Sequence, residues 1–148
     1  MDAQTKPPSE PLGSYIHLHL HSEYSLLDGG NKIDPRLVRV KELGMGAVAI
    51  TDHGNLHGAF EFYNKAKKHG VKPIFGIEAY VAPANRKDRK PTGVRDGGFH
   101  LVLLAENMTG WNNLVKLSSD AFLEGFYSKP RMDHSTLEKQ GEGIIAIS

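Results

Sequence analysis

Tyr15-Ile16-His17-Leu18-His19-Leu20-His21 places an imidazole at every second position. In an extended strand alternate side chains share a face, so His17, His19 and His21 would line one side and Ile16, Leu18 and Leu20 the other. Alternate residues stand about 6.5 Å apart along a strand, close enough for neighbouring imidazoles to converge on one ion or to hold two ions that share a bridging ligand. A helix would separate them, because residues two apart do not share a helical face. A lone histidine is readily satisfied by ordinary hydrogen bonds. Three packed together without a metal or a carboxylate would leave buried polar groups unpaired, at about 1 to 3 kcal/mol each. The pattern therefore points to metal or phosphate chemistry.

Other groups suit the same chemistry. Asp52-His53-Gly54-Asn55 follows the apolar run Ala47-Val48-Ala49-Ile50-Thr51, a polar cluster at the carboxyl end of a buried strand. Glu78 lies inside an apolar strand expected over 74–81, where a carboxylate is costly unless it is paired, bound to a cation or turned to solvent. His100 opens a further strand expected over 100–105. With no cysteine in the chain, disulfides and thiolate sites are excluded, and any metal must be held by nitrogen and oxygen.

The elements that must position these groups alternate along the chain. Asp34-Pro35 reads as the cap and first residue of a helix that carries Leu37 and Val40 and stops at Gly44. A second helix is expected over 56–69, burying Ala59, Phe60, Phe62, Tyr63 and Ala66 before Gly70. Asn107 to Thr109 can cap a third, with Trp111, Leu114, Val115, Ser118 and Phe122 on one face. Residues 125–133 read as an irregular connection, Ser135 to Glu138 as a capping box, and Ile144 to Ser148 as a buried strand. This alternation predicts an α/β fold with mostly parallel strands, as an open sheet or a barrel. In such folds functional groups gather at the carboxyl ends of strands, where His21, His53 and Glu78 fall. His100 breaks that rule unless its strand runs antiparallel.

The length of 148 residues suits one domain, with residues 1–13 read as a loose tail and 14–148 as the folded part. No apolar run approaches a membrane span and the start is not signal-like, so a cytoplasmic location is expected. Eighteen basic against seventeen acidic residues leave a net charge of +1, which does not mark a nucleic-acid binder. Arg86, Lys87, Arg89, Lys90 and Arg95 crowd one segment, read as a solvated loop in preference to a phosphate-contacting one. Gly44-Met45-Gly46 precedes a strand and is no dinucleotide fingerprint, and no serine sits in a nucleophile elbow.

His19-Leu20-His21, Thr51-Asp52-His53-Gly54, Gly76-Ile77-Glu78 and His100 resemble the successive motifs of the polymerase and histidinol phosphatase (PHP) family. The run from His17 to Gly29, together with Leu117-Ser118-Ser119, Leu123 to Tyr127 and Lys129-Pro130-Arg131, is similar to the branch at the start of bacterial DNA polymerase III alpha subunits. The resemblance implies a distorted (β/α)7 TIM-like barrel that binds up to three ions of zinc, manganese or iron. It implies His19 and His21 as first-motif ligands, Asp28 as the acidic ligand after them, His53 as the second-motif ligand, Glu78 as a bridging carboxylate and His100 as a further ligand. Asp52 would bind metal or orient a ligand. His17 stands where small phosphatases of the family usually carry aspartate, and His57, His69 and His134 match no motif.

Phosphoester hydrolysis is the reaction implied, as 3′ to 5′ exonuclease proofreading in the polymerase branch or as a structural remnant of that site. The implied partners are DNA through the full-length polymerase, the remainder of the alpha subunit and the proofreading exonuclease subunit. The family's late aspartate-x-histidine pair and the polymerase aspartates are not in these residues, so an amino-terminal fragment and a truncated barrel are expected. Two alternatives stand beside this reading: a stand-alone metal-dependent phosphatase of the histidinol phosphatase type, and a non-catalytic scaffold.

Overall fold

Short apolar runs bounded by glycines and turn residues become the strands that carry the polar groups. The computed structural model describes residues 15–91 and 93–148, and the tail expected over 1–13 lies outside them. In chain order the elements are α1 (Ile33–Glu42), β1 (Ala47–Ile50), α2 (Ala59–His69), β2 (Lys72–Val81), β3 (Phe99–Ala105), α3 (Met108–Leu123), β4 (Arg131–Met132), α4 (His134–Lys139) and β5 (Ile144–Ile147). The strands are ordered β1-β2-β3-β5, with β4 beside the far end of β2.

The sheet is mixed, which corrects the expectation of mostly parallel strands. β1 lies parallel to β2 from Ala47↔Lys72 to Ile50↔Phe75, and β4 is parallel to β2 at Tyr80↔Arg131. β3 runs antiparallel to β2, from Gly76↔Leu104 to Val81↔Phe99, and antiparallel to β5. The cause lies in the connections: α2 carries the chain back between β1 and β2, whereas the described residues between β2 and β3 hold a 3-10 turn at Arg95–Gly97 and no α-helix. Without a crossover helix the chain returns along the strand it has just left.

Two apolar clusters hold the helices on the sheet. Ile33, Leu37 and Val40 of α1 meet Val48 and Ile50 of β1 and Phe62 and Ala66 of α2. Ile77, Ala79 and Val81 of β2 meet Leu103 of β3 and Leu114, Leu117 and Ala121 of α3. Alternation along β2 thus gives one face to α3 and leaves Gly76, Glu78 and Tyr80 on the other.

Residues 15–21 form no strand, contrary to expectation. The Ala49 amide donates to the His17 carbonyl and the Thr51 amide to the Leu20 carbonyl, each at 2.9 Å. Two residues of one segment therefore match three of the other, and the Leu20 amide turns to Thr51 Oγ1 at 2.8 Å. The extra residue breaks the two-residue period. His17 consequently leaves the face of its neighbours and sets its ring edge-on to Tyr15, with centroids 4.9 Å apart.

Smaller differences have local causes. α1 starts at Ile33, so Asp34 lies in its first turn instead of capping it and bonds His69 of α2 at 3.0 Å, which ties the two helices together. α2 starts at Ala59 after Asn55 takes the His57 amide and donates to the His53 carbonyl, a turn that competes with helix. Its Phe60 and Tyr63 face outward, while Phe62 is fully buried. α3 buries Gly110, Asn113, Leu114, Leu117 and Ala121 and leaves Val115 and Phe122 exposed. A Cβ at Gly110 would lie 1.8 Å from the Gly143 carbonyl oxygen, so α3 seats its glycine where the backbones approach. Asp133, rather than Ser135, caps α4. The basic loop is partly anchored: Arg86 pairs with Asp133 and Glu124, and Arg131 donates to the Arg86 and Asp88 carbonyls. β5 is only half-buried, not a core strand. Among the described residues no helix is long and apolar enough to cross a membrane.

Candidate metal centre

Glu78 is 5 % exposed, so it is not the solvent-facing strand residue that the sequence left open. It sits where β2 has run past the end of β1, and it forms an isolated parallel bridge with His53, three residues beyond Ile50. Both groups thus stand at the carboxyl end of β1. The antiparallel turn of β3 explains His100: it faces Tyr80 across the ladder, and Glu78 is its diagonal neighbour on the same face. The start of β3 is therefore at the same end of the sheet.

Four imidazoles converge on the one carboxylate. Glu78 Oε2 lies 2.9 Å from His53 Nδ1, 3.0 Å from His21 Nε2 and 3.3 Å from His19 Nε2. Its other oxygen, Oε1, lies 2.9 Å from His100 Nδ1. The rings pack on one another, His21 stacked on His53 at 4.1 Å and His53 edge-on to His100 at 5.5 Å. Asp28 reaches in from the loop after residues 15–21, with Oδ2 2.7 Å from His53 Nε2. All six of His19, His21, Asp28, His53, Glu78 and His100 are therefore at one site, while His17 is not.

Asp52 lies behind this set. It accepts the Ser22 amide at 2.6 Å, the Ser22 hydroxyl at 2.7 Å and the Ser25 hydroxyl at 2.7 Å, and all three residues are buried. The Ser25 hydroxyl also meets the His53 amide and His21 Nδ1, each at 3.0 Å. Arg36 of α1 braces the loop by donating to the His21 carbonyl, and to that of Asn31 at 3.0 Å. Tyr80 closes the far side, its ring edge-on to His100 at 5.0 Å, with Lys129 Nζ 5.3 Å above it. Ser22, Ser25, Arg36 and Tyr80 were not foreseen as parts of the site; a loop serine or a strand tyrosine carries no spacing signal that would mark it.

The electrostatics suit a cation. Burial alone would raise the Glu78 pKa, but the imidazoles of His21, His53 and His19 outweigh it and hold the group at about 2. The Glu78 carboxylate in turn raises the pKa of His21 against the opposing effect of burial. His53 Nδ1 and Glu78 Oε2 are buried and 2.9 Å apart, yet neither has a hydrogen-bond partner. Two such orphaned atoms are costly unless something binds both. His19, His21 and Glu78 offer ligand atoms within 4.8 Å of one another, as do His53, Glu78 and His100. This donor set of imidazole and carboxylate fits divalent transition ions, with Glu78 shared between two groups.

The PHP domain family matches residues 17–148. The chain is 51% identical over 134 residues to the DNA polymerase III subunit alpha of Borreliella burgdorferi and 55% identical over 137 residues to that of Thermus aquaticus, with 90% of the chain covered in each case. It spans only 12% and 11% of the length of those relatives. Among solved structures it resembles one described as a metal-dependent phosphoesterase from Bifidobacterium adolescentis, at 19% identity and a TM-score of 0.53, covering 76% of this chain and 34% of that one. An amidohydrolase from Chromobacterium violaceum matches at 23% identity and a TM-score of 0.51, over 72% and 32% of the two chains.

Proposed function

The chain belongs to the PHP domain family, and from that premise we propose that it is the amino-terminal PHP portion of a bacterial replicative DNA polymerase alpha subunit, carrying a metal-dependent phosphoesterase site of the 3′ to 5′ exonuclease type. The observation that carries the reading is the convergence of four imidazoles on Glu78 with His53 Nδ1 and Glu78 Oε2 left orphaned. The identity of about half its residues to polymerase subunits supports the polymerase branch over a stand-alone phosphatase. On this reading the strands belong to a TIM-like barrel, the partners are DNA, the rest of the alpha subunit and the proofreading subunit, and the protein works in the cytoplasm.

In this proposal His19, His21, Asp28, His53, Glu78 and His100 hold divalent ions of zinc, manganese or iron. Such ions supply a bound water acidic enough to ionise near neutral pH and positive charge for the oxygens of a phosphoester. The protein's part is to fix the ligands. Glu78 is shared by two ligand groups and sets their spacing, Asp28 orients His53 through Nε2, and Asp52 anchors the loop that carries His21. Tyr80 screens the imidazoles of His53 and His100 on one side. Manganese-dependent release of nucleotides from single-stranded DNA, compared between the protein and its His19→Ala, His21→Ala double variant, tests the reading. Loss of release together with bound metal is expected; equal release and equal metal content in the two would refute it.

A further inference from the structure

We propose that Ser25 is a positioning residue of the metal centre: its buried hydroxyl dictates which nitrogen of His21 carries the hydrogen, so that the Nε2 lone pair is presented to the cluster. The proposal rests on reading the cluster as a metal site, but its chemistry follows from counting hydrogens around one oxygen. Ser25 is 2 % exposed, and its Oγ has three partners within 3.0 Å. A hydroxyl has one hydrogen to give and two lone pairs to accept with.

Asp52 Oδ1, at 2.7 Å, belongs to a carboxylate that only accepts, so the hydroxyl hydrogen goes there. That assignment is reinforced by the other donors on Asp52, the Ser22 amide on Oδ1 and the Ser22 hydroxyl on Oδ2. The His53 backbone amide can only donate, so it takes one lone pair of Ser25. His21 Nδ1, at 3.0 Å, is left facing the second lone pair and must supply a hydrogen of its own. A neutral imidazole has a single N–H, so Nε2 is bare. This nitrogen lies 3.0 Å from Glu78 Oε2 and 3.2 Å from His19 Nε2, inside the cluster.

One hydroxyl therefore does two things. It sets the tautomer of His21, and by holding the His53 amide it fixes the end of β1 against the loop that carries His21. Groups that orient a metal-binding histidine from behind typically change metal affinity about 10- to 100-fold when removed. Ser22 provides the contrast: it bonds the same carboxylate but neither histidine ring.

The test is 15N NMR of the metal-free protein with labelled imidazoles at alkaline pH, with the His21 signals assigned through a His21→Asn variant. In the wild type His21 is expected as the Nδ1–H form. Ser25→Ala is expected to shift it toward Nε2–H and to weaken Mn2+ and Zn2+ binding about 10- to 100-fold, while Ser22→Ala keeps the wild-type tautomer. A wild-type His21 found as Nε2–H, or an unchanged tautomer in Ser25→Ala, overturns the proposal. Should Ser25→Ala fail to fold, the wild-type spectrum alone decides, Nδ1–H supporting the proposal and Nε2–H overturning it. Failure of the metal reading is separate: the wild type would then bind neither ion, whatever its tautomer.

Discussion

His53 Nδ1 and Glu78 Oε2 face each other at 2.9 Å where the chain leaving β1 bridges β2, both buried and neither aligned for a hydrogen bond. Atoms at that distance ordinarily share a proton in line between them. Here the ring approaches out of line, and the same oxygen is shared with His19 and His21. Such an arrangement resembles ligands disposed around a common centre more than a set of ion pairs.

Glu78→Gln keeps the shape of the side chain and removes its charge. The variant is expected to lose more metal affinity than the roughly 10- to 100-fold typical of a supporting residue, because Glu78 is common to both ligand groups. Elemental analysis after dialysis against trace metal reads this directly. Wild-type metal content in the variant would mean that the imidazoles suffice without the carboxylate.

Metal binding should depend on pH in a defined sense. The pKa of His21 is raised in the metal-free protein, so its ring stays protonated to a higher pH than an ordinary histidine and competes with the ion. Affinity should therefore still be rising above pH 6.5, with proton release on binding, in an Mn2+ titration between about pH 5 and 8.5. A flat profile would exclude His21 as a ligand.

Asp133 gives a pH dependence of a different origin. Burial opposes its ionisation, but the Arg86 amide, the Ser135 hydroxyl, the Thr136 amide and the Arg86 guanidinium hold its carboxyl well below the usual range. A folded-state pKa below the unfolded one means stability that is present above about pH 4 and is lost as pH falls further. Asp133→Ala removes the α4 cap and one of the two carboxylates that pair with Arg86, leaving it Glu124, at a cost of about 1 to 2 kcal/mol. Denaturant midpoints at pH 7 and pH 3 should differ less in the variant than in the wild type; an equal difference would assign the acid sensitivity elsewhere.

Two aromatic positions two residues apart on α2 should behave oppositely. Phe62 is fully buried, and Phe62→Ala is expected to cost about 3 to 5 kcal/mol. Phe60 is 80 % exposed, and Phe60→Ser should change stability by no more than about 0.5 kcal/mol. Urea unfolding of both variants checks the assignment of faces. A large loss at Phe60 would mean that its ring is covered in solution.

Much of the site was legible in the sequence because strand ends are. Apolar runs locate β1, β2 and β3, and His53, Glu78 and His100 follow from their places at or within those runs. The direction of β3 was not legible, since periodicity does not encode polarity, and only the missing crossover helix after Val81 decides it. The two-residue period misled at His17, where one additional residue before Leu20 changes the register against β1. On α2 and α3 apolar spacing marked a stripe without saying which edge of it meets the sheet. Gly110 against Gly143 settles that through backbone approach, which hydropathy does not report.

The hydrogen bonds of residues 15–25 to the end of β1 have a kinetic consequence. No continuous ladder joins this segment to the sheet; it is held by separate bonds, from the Ala49 and Thr51 amides to backbone carbonyls and from Ser22 and Ser25 to Asp52. Amides held this way exchange with solvent through a sub-global opening that costs less than unfolding the core. That opening would carry His19 and His21 away from Glu78 together. Ion release from the site would then be gated by the same event that exposes the Ser22 amide, so one hydrogen-exchange rate would set the upper limit on how fast the centre can empty.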